Sequence, residues 1–129
     1  MVSMARQDSG ICPIVATIRL LANQWNMITI RYLHDGPMKF NQLRRTMGNV
    51  SSKTLSRSLK HLVREEIIRR RVLDTSPVSV EYSLTERGIE LSNALFEMKR
   101  WGMKWVLPKM SMENESGRVP EKLTAASVF

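Results

Sequence analysis

The chain has 129 residues, 43% of them apolar, which is enough for one domain with a real core but small enough that an oligomer would help bury its faces. Its formal net charge is +8, and its single cysteine excludes an internal disulfide framework and any cysteine-based zinc cluster. No run of eighteen apolar residues occurs, and Met1 to Gly10 lacks a signal peptide's apolar stretch, so the chain is expected to cross no membrane and to stay in the cytoplasm.

Residues 1–11 are polar and short and are expected to form a flexible leader. Cys12-Pro13 opens a helical pattern in which Ile14, Ile18 and Leu21 recur on one face. Trp25 to Leu33 forms a second helix, stopped by Asp35-Gly36-Pro37, because glycine suits a helix C-cap and proline cannot continue the helix. Phe40, Leu43 and Met47 mark a short third helix, and Gly48-Asn49 turns the chain sharply after it. Ser51 or Ser52 supplies an N-cap for a fourth helix reaching about Glu65. On that helix Leu55, Leu59 and Leu62 share one side, while Lys53, Arg57, Lys60 and Arg64, with Ser56 beside them, share the other.

The period then changes. Ile67 to Leu73 is basic and β-prone, 74–77 is a turn, and Val78 to Leu84 alternates, with Val80, Tyr82 and Leu84 facing the core. Thr85 caps a last helix from Glu86 to Val106, whose apolar residues Leu91, Leu95, Met98 and Trp105 are widened by Ile89, Ala94, Phe96 and Trp101. Pro108 is expected to end it and to leave 107–129 as a loosely packed C-terminal tail. The fold class is α+β, mostly α: a winged helix-turn-helix with a three-helix core and a two-stranded β-hairpin wing over residues 12–106.

Charge decides what such a fold meets. Ten lysines and arginines lie between Lys39 and Arg71 against two acids, Glu65 and Glu66, so this segment carries the whole net charge. A cationic surface on an otherwise neutral protein suits phosphates. The major groove admits one helix, and the N-terminal residues of such a helix face base edges. Ser52, Lys53, Ser56 and Arg57 are the expected base-facing residues. Lys60 and Arg64 lie further along and suit phosphates, as do Arg44 and Arg45 on the preceding helix. Arg69, Arg70 and Arg71 enter the wing and suit a phosphate ridge or the minor groove, although one of them is placed to pair with Glu81 across the hairpin.

Rival readings lack their signatures. His34 and His61 have no partner at metal-ligand spacing, and no phosphate loop or nucleophile motif appears, so no enzyme, metal or cofactor is expected. An RNA-binding sheet needs exposed aromatics, and the hairpin offers only Tyr82. A non-specific architectural DNA-binding protein remains the alternative.

The chain resembles the HxlR family of winged-helix transcriptional regulators, within the wider MarR-like group, from Cys12 to about Trp101. The resemblance rests on Cys12-Pro13, Trp25, Ile30-Arg31, Asp35-Gly36-Pro37, Leu43-Arg44-Arg45, Lys53-Thr54-Leu55-Ser56, and Glu81 to Thr85 with Gly88. It implies a homodimeric regulator of double-stranded DNA, built on N- and C-terminal dimerisation helices, with Ile14, Ile18, Leu21, Leu95, Phe96, Trp101 and Trp105 in the interface. It also makes Cys12 a candidate redox sensor, since a thiol at a helix N-terminus is readily activated. A small-molecule effector in a dimer crevice near Trp25 stays open and unidentified. Three positions depart from the family pattern. Ser79 stands where relatives carry a wing-tip arginine, Glu66 where they carry a glycine after the recognition helix, and Ala16 where they carry an acid.

Overall fold

The computed structural model describes residues 10–115; the expected flexible leader lies largely outside them, as does the chain from 116 to 129. Six helices and three strands follow in the order α1 (Pro13–Leu21), α2 (Gln24–Leu33), β1 (Met38–Lys39), α3 (Phe40–Thr46), α4 (Ser52–Arg64), β2 (Ile68–Leu73), β3 (Ser79–Leu84), α5 (Glu86–Trp105) and α6 (Leu107–Glu115). Local chemistry sets most boundaries. Asn23 caps α2 by accepting from the Asn26 amide at 3.1 Å, and Ser51 caps α4 by accepting from the Thr54 amide at 3.1 Å. Gly48 and Asn49, at φ +78° and +58°, form the turn between α3 and α4.

The core lies where α2, α3, α4 and the sheet meet. Ile30 and Leu33 of α2, Leu43 of α3, and Leu55, Leu59 and Leu62 of α4 are buried, closed below by Ile67, Ile68 and Leu84. Burying each such side chain is worth about 1.5–3 kcal/mol, so the leucine stripe of α4 fixes that helix in both position and rotation.

One expectation is extended and one corrected. The β2–β3 hairpin is the expected two-stranded wing, and β1 joins it in a three-stranded sheet of order β1-β3-β2: Met38 pairs with Tyr82 and Lys39 with Glu81, both antiparallel. Two residues after Pro37 are too few to show an alternating pattern, and their pairing comes from β3. The chain from 107 is also helical rather than a loose tail as far as Glu115. Pro108 does not stop it, because it sits in the first turn of α6, where the missing amide costs no helical bond.

The end of α4 keeps the glycine-type geometry without the glycine. Glu66 adopts φ +61°, its amide bonds the Val63 carbonyl at 3.0 Å, and the Ile67 amide reaches back to Leu62 at 2.9 Å. The α5 N-terminus locks onto this corner. Thr85 caps α5 by accepting from the Gly88 amide and gives its hydroxyl to the carbonyls of Glu66 and Ile67. Gly88 is pressed so close that a Cβ would stand 2.2 Å from the Ile67 oxygen.

Candidate nucleic-acid interface

The cationic side of α4 is open. Leu55 and Leu62 are fully buried and Leu59 nearly so, which turns Lys53, Arg57, Lys60 and Arg64 outward, all exposed, with Ser56 half-buried beside them. Ser52 is exposed at the first helical position, while Ser51 is spent on the cap. This is the division expected from the 100° spacing, because a helix with one apolar stripe can bury only that stripe.

Alternation divides the wing arginines. Successive strand residues point to opposite faces, and the register pairs Ile68 with Leu84, Arg70 with Tyr82 and Val72 with Val80 on one face. Arg70 therefore joins Ser56, Leu59, Lys60, Val63, Arg64 and Tyr82 around an open groove of about 380 Å³ between α4 and the wing. Its floor is apolar and three cations rim it. Arg69 goes to the other face, beside Glu66, Glu86, Arg87 and Glu90. Arg71 stands directly opposite Glu81, which has Lys39 on its other side. Of the three wing arginines only Arg70 shares a face with the α4 cations.

Arg44 and Arg45 end α3 next to the turn. Arg45 is exposed; Arg44 is half-buried and donates from Nε to the Val50 carbonyl at 2.7 Å, bracing the entry to α4. Sequence reasoning did not foresee that brace, nor the groove-lining roles of Val63 and Tyr82. Both follow from which elements become neighbours, and no local pattern announces them. His61 lies on α4 with its Nε2 2.6 Å from the Leu20 carbonyl, so it contacts α1.

A second open surface is apolar. Every residue from Ile11 to Leu20 is exposed, with Ile14 at 70% and Ile18 at 63%. On α5 only Gly88 and Ser92 are buried, and Leu91 and Leu95 are half-buried against the core. Beyond them Trp101 is 62% and Trp105 58% exposed. Phe96 is partly open and meets the His34 ring edge-on, 4.5 Å between centroids. One of the residues expected on this surface belongs elsewhere: Leu21 is buried in the core, while Leu95 is half-buried against it. Their spacing placed them on the right helices, but each helix splits its apolar residues between the core and the open side. Trp25 is half-buried against its own core. Cys12 is exposed at the N-cap of α1.

A leucine-backed cationic helix, entered from a tight turn and followed by a basic hairpin, defines a winged helix-turn-helix protein. A profile of the HxlR-like helix-turn-helix family matches residues 20–110, and the chain belongs to that family. It is accordingly a DNA-binding transcription regulator and not an enzyme. The HTH-type transcriptional regulator YodB of Bacillus subtilis (strain 168) is 38% identical over 98 residues, 75% of this chain and 88% of that protein. The solved structure of reduced YodB from B. subtilis superposes with a TM-score of 0.65 at 37% identity, covering 76% of this chain and 97% of that one. The redox regulator HypR in its oxidized form gives a TM-score of 0.67 at 33% identity over 72% of this chain and 96% of its own. Among the described residues no helix is long and apolar enough to cross a membrane.

Proposed function

We propose that the protein acts in the cytoplasm as a homodimer that binds a pseudo-palindromic operator sequence-specifically. The observation that carries this reading is the open cationic face of α4, rigidly backed by three buried leucines and continued by Arg70 across the groove. In this reading Ser52, Lys53, Ser56 and Arg57 meet base edges. Lys60, Arg64, Arg70 and Arg45 hold phosphates, Arg44 also braces the entry to α4, and Arg69 and Arg71 offer further cations on the opposite face of the wing.

The dimer half of the proposal rests on the uncovered apolar surface of α1 and α5. An isolated helix of nine residues is marginal in water, and α1 buries only Leu21 in its own domain. Ile14, Ile18, Phe96, Trp101 and Trp105 are the anchors, since aromatic residues dominate interface energetics.

One experiment tests both halves. Sedimentation equilibrium and competition binding are run on the wild type and on Trp101→Ala. The wild type is expected to sediment as a dimer. It is also expected to prefer an operator selected from random duplex by roughly 10³-fold or more, with half-sites about 34–36 Å apart. Trp101→Ala is expected to weaken the dimer and the operator preference together. Equal affinity for all duplexes would instead identify a non-specific architectural protein, and a monomeric wild type would end the dimer reading.

We further infer that Cys12 is open to oxidants. Its thiol is exposed at the start of α1, and YodB has been solved in diamide-treated and quinone-bound forms. Diamide is expected to change operator affinity in the wild type and not in Cys12→Ser; an unchanged wild type would refute this.

A further inference from the structure

Three features meet at the elbow between α1 and α2. Ala22 holds φ +72° and ψ −49°, and across it the Asn23 amide bonds the Leu21 carbonyl at 2.8 Å. A three-residue turn of this hand is strained for any residue that carries a Cβ. Beside it Asn26 is 1% exposed, and its Nδ2 donates to the Leu21 carbonyl while its Oδ1 has no hydrogen-bond partner. Buried acceptors are rarely left unpaired. Finally, His61 of α4 holds the carbonyl of Leu20, in the last turn of α1, at 2.6 Å.

We propose that this elbow is a hinge with two settings, and that His61 is a positioning residue that passes the setting to α4. In the setting described, the Leu20–His61 bond is made at the expense of a strained Ala22 and an orphaned Asn26 oxygen. A swing of α1 that returns Ala22 to negative φ relieves the strain and opens the Asn26 oxygen to a donor, but it draws the Leu20 carbonyl away from His61. Gains and losses oppose each other, which is what a two-state element requires. Because Leu21 alone ties α1 into the core, the helix can turn about its C-terminal end with little loss of packing. His61 is next to Lys60 and one turn from Arg64 on α4, so its bond to α1 bears on how firmly the turn carrying those cations is held. The inference rests on reading α1 as the partner-binding arm and α4 as the DNA-binding helix. Seating the arm on a second subunit would then set how firmly that turn of α4 is held where it meets the duplex.

The test uses the full chain. Glycine at position 22 accepts positive φ freely, and a β-branched residue opposes it. Ala22→Gly is expected to slow hydrogen exchange in α4, and Ala22→Val to speed it, by about threefold or more, the size of an ordinary coupling energy. Affinity for a random 30-base-pair duplex should move in opposite senses for the two variants. With His61→Phe, which keeps the ring and loses the donor, neither substitution should affect α4. With His61→Gln, whose amide can reach the same carbonyl, the response should return in part. Equal responses with and without His61, or an α4 indifferent to position 22, would overturn the proposal. Exchange is read without DNA, so a protein that binds no duplex would refute the functional reading and leave the hinge test standing.

Discussion

At Glu66 a residue with a Cβ occupies a backbone that favours glycine, and Glu66→Gly is expected to stabilise the protein. The position lies just past α4 at φ +61°, with both backbone bonds of the helix end already in place, so glycine changes no contact of the main chain. A left-handed backbone costs a residue with a Cβ roughly 1–2 kcal/mol. Glycine gives back about 0.5–1 kcal/mol through the greater freedom of the unfolded chain. The glutamate also sets a negative charge at the negative end of α4, and removing it contributes about 0.3 kcal/mol more. The net gain is about 1 kcal/mol, or roughly 4 °C in Tm for a domain of this size. Thermal unfolding followed by circular dichroism measures it, at one protein concentration because a dimer's Tm depends on concentration. Glu66→Ala removes the charge and keeps the Cβ, so it isolates the smaller electrostatic part. If Glu66→Gly melts no higher than Glu66→Ala, the strain attributed to this corner does not exist.

Two further substitutions probe the same architecture. Gly88→Ala places a methyl 2.2 Å from the Ile67 oxygen and pushes α5 off the corner; urea unfolding should show a loss of about 3 kcal/mol, and full stability would mean α5 sits elsewhere. Arg70→Ala should weaken binding to every duplex and lower the slope of log affinity against log salt by about 0.9, whereas Arg69→Ala, on the opposite face of the sheet, should leave the slope nearly unchanged. Fluorescence anisotropy over a salt series distinguishes them, and equal slopes for both variants would place the duplex on neither face in particular.

The helices were legible in the chain because their signals are local. The serine cap, the Leu55-Leu59-Leu62 stripe and the Thr85 cap each depend on residues within two turns of one another, and each stands where its spacing puts it. The cationic face of α4 was legible for the same reason, since burying one stripe of a helix leaves the opposite stripe no choice. Glu66 shows the limit of a family pattern. Relatives carry a glycine there, yet here the corner is held by Thr85 and by the Leu62–Ile67 bond, and the glutamate is carried into the same conformation.

By itself, then, the order of residues determined a helix-turn-helix with a basic wing, because periodicity and caps act over a few residues. Tertiary structure alone decided which side of the sheet each arginine occupies in the assembled groove, that Met38 and Lys39 complete that sheet, and that Leu21 and Leu95 turn inward while Trp101 and Trp105 remain uncovered. It also decided that His61 reaches a carbonyl 41 positions away. These outcomes depend on which surfaces meet, and the free energy of a contact between distant segments leaves no periodic trace in either one.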